Sequence, residues 1–151
     1  MNVHDSIISN EKIIVVSACL LGACCRYDGR SQANDNVLSI IAHCGFLPVC
    51  PEQLGGLSTP RARHEIIGER VVSEYGDDAT DAFERGAQQA FLLVTLSAAR
   101  LAILKARSPS CGKGQVYDGT FTGRLCAGHG LFAKRLIEYG IRVLTEDEIT
   151  Q

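Results

Sequence analysis

Short β-branched apolar runs alternating with helical patterns predict an α/β fold, a single three-layer αβα domain around a mostly parallel sheet. Two observations carry this. Ile13-Ile14-Val15-Val16, Phe46-Leu47-Pro48-Val49 and Leu101-Ala102-Ile103-Leu104 are nearly unbroken apolar runs, as strands covered on both faces read. The segments between them are long enough for the crossover helices that parallel neighbours need.

The elements follow in order. Residues 1–12 read as a loose N-terminal lead-in and 13–151 as the domain. The first strand runs into Cys19 and the polar loop Arg26-Tyr27-Asp28-Gly29-Arg30. Asn34 offers an N-cap for a helix reaching about Cys44, with Gly45 as its stop. The second strand ends at Cys50 and the breaker Pro51, and Gly55 to Pro60 is loop. Residues 66–73 suit a hairpin or edge strand. Asp77-Asp78 opens a long helix to about Arg100, with acids where the helix dipole favours them. The third strand, Leu101 to Lys105, leads into Ser108-Pro109-Ser110-Cys111-Gly112. A glycine-rich segment, a helix over 130–139 and a last strand at Ile141-Arg142-Val143-Leu144 complete a Rossmann-like alternation.

Composition narrows the function. Hydrophobic residues at 46% and charged residues at 21% are those of a soluble globular protein. A net charge of −2 gives no basic excess for nucleic acid or an anionic membrane. The longest apolar stretch, Ala87 to Leu104, is broken by Gln88, Gln89, Thr95, Ser97 and Arg100 and does not span a bilayer. The N-terminus lacks the features of a secretory signal, so a cytoplasmic protein is expected, a monomer or small homo-oligomer acting on a small molecule. Seven cysteines, an odd number, favour metal ligation or thiol chemistry over a disulfide framework in that compartment.

Three of these cysteines stand apart. Ligands of open α/β sheets bind beyond the carboxyl ends of the strands. Cys19, Cys50 and Cys111 each follow a different strand there, each near Gly or Pro, which lets backbone amides approach a bound group. Cys44, late in an apolar helix, reads as core, and Cys126 has no evident role. Cys24 and Cys25 read as spare ligands, resolving thiols or filler. No Cys-x-x-Cys pair of a structural zinc site occurs, nor a ferredoxin-type run. Three dispersed thiolates leave a fourth position open, a labile iron on a cubane cluster or a bound water on zinc, and softness suits both metals.

The motifs Cys19-Leu-Leu-Gly-x-x-x-Arg-Tyr-Asp-Gly29, Pro48-Val-Cys-Pro-Glu-x-x-Gly-Gly-Leu-x-x-Pro-Arg61 and Lys105-x-x-Ser-Pro-Ser-Cys-Gly112 resemble the DUF523 family. The resemblance continues through Tyr117-Asp-Gly-Thr-Phe-Thr-Gly123 and covers about residues 13–149. Its characterised members are thiouracil desulfidases. The resemblance implies a [4Fe-4S] cluster on Cys19, Cys50 and Cys111 with one iron open to the substrate's sulfur, and Glu52 and Ser108 as the functional acid and hydroxyl. It implies non-redox replacement of that sulfur by oxygen in a small thiolated pyrimidine, 2-thiouracil to uracil plus sulfide. The chain departs from the family's usual wording after Arg61, where Ala62-Arg63-His64 replaces a proline-rich stretch; if that loop borders the site, it bears on substrate choice.

The residue types suit these roles. Thione sulfur is soft and suits an open iron, and a carboxylate two residues beyond a ligand can move a proton to or from water. The plainer reading of Glu52 is a first-turn acid facing the helix dipole, and of Ser108 a hydroxyl bracing the turn before Pro109. Arg26, Tyr27 and Asp28 suit either contact with the pyrimidine or stitching of their own loop, and His64 and His129 read as surface or supporting groups rather than ligands. Two alternatives remain at this level: a non-catalytic iron–sulfur sensor or binding module, and a metal-free sulfurtransferase with a nucleophilic cysteine.

Overall fold

In the computed structural model, which describes residues 3–149, Ile13–Ser17 (β1) pairs in parallel with Gly45–Val49 (β2) on one side and Leu101–Leu104 (β5) on the other. Arg142–Thr145 (β8) adds in parallel to β5, giving the order β2-β1-β5-β8. The register sets Ser17 beside Val49 and Val16 beside Ile103, so β1, β2 and β5 end at a common edge. The chain passes from β1 to β2 on one side and later returns past β1 to β5, a topological switch point between β1 and β5.

Alternate residues of β1 and β5 face opposite cores. Val15, Ala102 and Leu104 pack with Phe132 and Leu136 of Leu131–Tyr139 (α5) and with Ala87, Ala90 and Val94 of Thr80–Ser97 (α4). Ile14, Val16, Leu101 and Ile103 pack with Val37, Ile40 and Ile41 of Asp35–Ile41 (α2). The result is the expected αβα sandwich. Phe83, Ala87, Ala90 and Val94 lie on one stripe of α4 at helical spacing, and each large aliphatic side chain so buried contributes about 1.5–3 kcal/mol.

The boundaries differ in instructive ways. The leading segment is not loose: residues Val3–Ile8 form a helix (α1), and Ile7 is buried against Ile14 and the α2 face. Residues 1, 2, 150 and 151, which fall in the expected lead-in and domain, lie outside the described residues. Asn34 does cap α2, accepting from the Val37 amide at 3.1 Å, but the helix stops at Ile41. Cys44 therefore sits half-buried in the following turn, and Gly45 starts a strand because its register with Ile13 outweighs its stop signal. α4 ends at Ser97, where Ala98 takes a left-handed conformation at φ 57°, so Arg100 is outside it.

Two antiparallel hairpins sit at the carboxyl edge. His64–Ile67 (β3) with Arg70–Ser73 (β4) is the expected one; Gln115–Tyr117 (β6) with Leu125–Ala127 (β7) is not. Strands of three residues, β7 wholly exposed, leave no alternation to read in the glycine-rich segment. Glu65 ties the hairpins together, its Oε1 accepting from the Gly119 and Phe121 amides at 3.0 Å. Among the described residues, no helix is long and apolar enough to cross a membrane.

Candidate functional site

Beyond the sheet edge lies a cavity of about 410 Å³, a size suited to a small ligand, bordered by Cys19, Cys50, Glu52, Ser108 and Cys111. Each side chain arrives by its own local logic. After β1 the chain tightens into a 3-10 turn over Ala18–Leu21 that buries Cys19, and Gly22 closes it at φ 106°, where a side chain would be strained. Cys50 follows β2 directly as N-cap of the four-residue helix Pro51–Leu54 (α3), which starts on its proline and carries Glu52 in its first turn.

Glycines set that helix against α4. A Cβ on Gly86 would stand 1.8 Å from the Pro51 carbonyl oxygen, and one on Gly55 would stand 2.1 Å from that of Ala82. Glu52 then meets Arg61, whose Nε donates to Glu52 Oε1 at 3.2 Å. The same guanidinium donates to the Cys25 carbonyl at 2.8 Å and to Ser58 O and Thr59 Oγ1 at 3.2 and 3.0 Å.

The third arm follows β5. Ser17 Oγ accepts the Lys105 amide at 2.9 Å, joining two strand ends. Lys105 Nζ pairs with Glu146 Oε1 at 2.6 Å, and Glu146 Oε2 accepts the Ala106 amide at 2.7 Å. Ser108 Oγ accepts from the Ser110 and Cys111 amides, both at 3.1 Å, so it does brace the turn. Among the described residues its own proton has no acceptor, which leaves it free to donate into the cavity.

All seven cysteines are free. Cys25 and Cys24, indistinguishable in sequence, part company: Cys24 is exposed, whereas Cys25 is 5% exposed and borders the cavity. Hydrogen bonding to Cys19 pushes the Cys25 thiol up to about 11, offset in part by Cys50. Contact with Cys25, then burial, raises Cys50, and burial raises Cys111. Burial and mutual contact thus disfavour the thiolate forms of Cys25, Cys50 and Cys111, and a metal would have to displace their protons. Among the described residues, no three His, Cys, Asp or Glu side chains close on a point that would hold a single ion. A donor set of several thiols spread round one cavity fits a multi-iron cluster better than a lone zinc.

The other candidates fall into place. Arg26 stitches its loop, donating to Gln32 Oε1 at 2.6 Å, while Asp28 accepts the Arg30 amide at 3.0 Å; Arg26 and Tyr27 also border the cavity. Arg63 and His64, from the segment that departs from the family's wording, border it too. The His64 ring lies 5.1 Å from that of Phe83, with Nδ1 buried and unpartnered. His129 is remote from this, accepting the Gly114 amide at 2.9 Å. Arg61 and Ser17 have no role that the sequence alone assigns. Arg61 lies within a recognisable motif, the signal that singles it out; Ser17 carries none beyond its place at a strand end.

A family model described as 2-thiouracil desulfurase matches residues 14–148. The uncharacterized protein YbbK of Bacillus subtilis (strain 168) is 37% identical over 147 residues, spanning 91% of this chain and 97% of that protein. A solved structure of the [4Fe-4S]-dependent thiouracil desulfidase TudS superposes with a TM-score of 0.86 at 44% identity, covering 91% of this chain and 93% of the other.

Proposed function

The chain belongs to the 2-thiouracil desulfurase family, and we propose that it is a desulfidase that exchanges the sulfur of a small thiolated heterocycle for oxygen without net redox change. A thiopyrimidine such as 2-thiouracil is the proposed substrate, with the oxo base and sulfide as products. The observation that carries this reading is that Cys19, Cys50, Cys111, Glu52 and Ser108 border one cavity. Residues 13–151 form the proposed functional unit, working in the reducing cytoplasm as a monomer or small homo-oligomer.

Cys19, Cys50 and Cys111 would hold a [4Fe-4S] cluster. When bound, it supplies a soft Lewis-acidic iron that draws electrons from a thione carbon. The chain's own residues do the rest. Glu52, held by Arg61, takes a proton from the water that adds to that carbon and returns one as sulfur departs. Ser108, its oxygen occupied by two amides, donates its proton to the ring and fixes its orientation.

The test is anaerobic purification followed by iron and sulfide analysis and incubation with 2-thiouracil. A brown protein with about four irons per chain, releasing uracil and sulfide, is expected. Cys19→Ser, Cys50→Ser and Cys111→Ser should each abolish cluster retention and Cys44→Ser should not. A colourless protein with stoichiometric zinc after iron-replete expression would sink the reading.

A further inference from the structure

We propose that His64 selects the substrate: its Nε2 donates a hydrogen bond to the oxo group that 2-thiouracil carries away from the reacting carbon. This rests on the desulfidase reading above and adds to it a preference for thiolated heterocycles that bear such an acceptor. The chain departs from the family's wording at Ala62-Arg63-His64, and the fold brings Arg63 and His64 of that segment to the cavity.

The donors around the cavity are not equally available. Arg63 is turned to Glu74, with Nε and Nη2 both 3.3 Å from Glu74 Oε2. Arg61, Lys105 and Arg107 are each engaged by a carboxylate, those of Glu52, Glu146 and Asp147. His64 has no such partner, yet its place is fixed. It opens β3 in register with Ser73, and the preceding Arg63 carbonyl accepts the Glu74 amide at 2.9 Å. The ring lies against that of Phe83, which is 1% exposed, so core packing rather than a polar contact orients it.

The two ring nitrogens differ. Nδ1 is buried and makes no hydrogen bond, the Ala62 carbonyl two residues back included; Nε2 is the one not closed off. An N–H is costlier to bury unpaired than a bare lone pair, so the neutral ring carries its proton on Nε2. Burial also disfavours the charged imidazolium, which leaves one proton to place. The result is a donor at the cavity with no acceptor of its own. Ser108 supplies a second from the loop after β5, so a planar ring is met from two separate elements. An analogue without the oxo group leaves the His64 donor unpaired, and that penalty is what selects against it.

The experiment compares two thiones on the anaerobic, iron-loaded full chain: 2-thiouracil and pyrimidine-2-thione, which keeps the thione and lacks the oxo group. Wild type should favour 2-thiouracil by at least ~10-fold in kcat/KM. His64→Phe keeps a ring against Phe83. It should lose about 10–100-fold on 2-thiouracil, mostly in KM, and little on pyrimidine-2-thione, with iron content unchanged. His64→Gln, whose amide nitrogen reaches near the place of Nε2, should recover most of that loss. Calorimetric binding of uracil, which retains the oxo group and needs no turnover, should weaken in His64→Phe by a similar factor. Equal wild-type kcat/KM for the two thiones overturns the role of His64 on its own, even if both variants fail to fold. Equal losses on both thiones in His64→Phe, unchanged uracil binding, or a His64→Gln protein no better than His64→Phe overturn it as well. An iron-loaded wild type that desulfidates neither thione overturns the desulfidase reading itself.

Discussion

Arg61 Nε meets Glu52 Oε1 at 3.2 Å with the arginine side chain only 5% exposed and the glutamate 16%. The carboxylate beside the cysteines is thus held by a single cation, reaching it across a loop from the strand-end side. The arginine's other donors are used on Cys25, Ser58 and Thr59, which leaves it no freedom to swing away.

Removing Arg61 should therefore cost more than one contact. Arg61→Ala leaves Glu52 and the Cys25 carbonyl without their donor in a half-buried site. A loss of about 3 kcal/mol is expected, the low end for breaking a buried pair because Glu52 keeps some solvent access. In anaerobic calorimetry that is a midpoint lower by roughly 6–12 °C for a domain of this size. An unchanged midpoint would mean that the pair contributes nothing.

Glu52→Gln keeps shape and volume and removes the acid/base. Desulfidation of 2-thiouracil should fall by about 10²–10⁴-fold, the usual share of general acid–base catalysis, with iron content unaltered. Turnover and iron measured on one anaerobic sample separate this from a helix-dipole role. Near-wild-type turnover with a full cluster would leave Ser108 as the proton donor to test next.

Gly86→Ala should reverse the ordinary sign of a glycine-to-alanine change within a helix, which normally gains close to ~1 kcal/mol. Here the new methyl would stand 1.8 Å from the Pro51 carbonyl, so α3 has to move off α4. A net loss of about 1–3 kcal/mol is expected, together with reduced turnover as Glu52 moves with its helix. Stability equal to or above wild type would refute the close approach.

Burial holds the His64 imidazole below its ordinary value of 6.5; Glu52 and Glu74 oppose the shift and Arg61 adds to it. For a group whose folded value is depressed, the unfolded chain binds the proton first as pH falls. Stability is thus intact above 6.5 and drains away below it, toward the folded value. Unfolding midpoints of wild type and His64→Leu should therefore converge, or cross, between about pH 7 and about pH 5. Parallel pH profiles for the two proteins would show that His64 does not titrate in this window.

Much of this was legible in the residues alone. The runs Ile13–Ser17 and Leu101–Leu104 read as strands because a strand buried on both faces has no polar positions, whereas Gly45–Val49, expected to be covered likewise, is an edge strand buried only at Val49. With those strands parallel, Cys19, Cys50 and Cys111 had to fall at one edge, since parallel strands share a carboxyl end. Local chemistry also announced the Asn34 cap and the acids ahead of α4.

Tertiary structure alone decided the rest, and in each case the reason is a partner distant along the chain. Which of Cys24 and Cys25 faces the cavity depends on Arg61, 36 residues away from Cys25, and on the thiols of Cys19 and Cys50. The β6–β7 hairpin is stitched by Glu65 from another hairpin rather than by any propensity of its own. Gly86 looks like an ordinary helical weakness until Pro51 is laid against it. Periodicity and capping act over a few residues and survive in the sequence as pattern. Close approach, ion pairing and the direction of a single thiol are set only when separate elements pack.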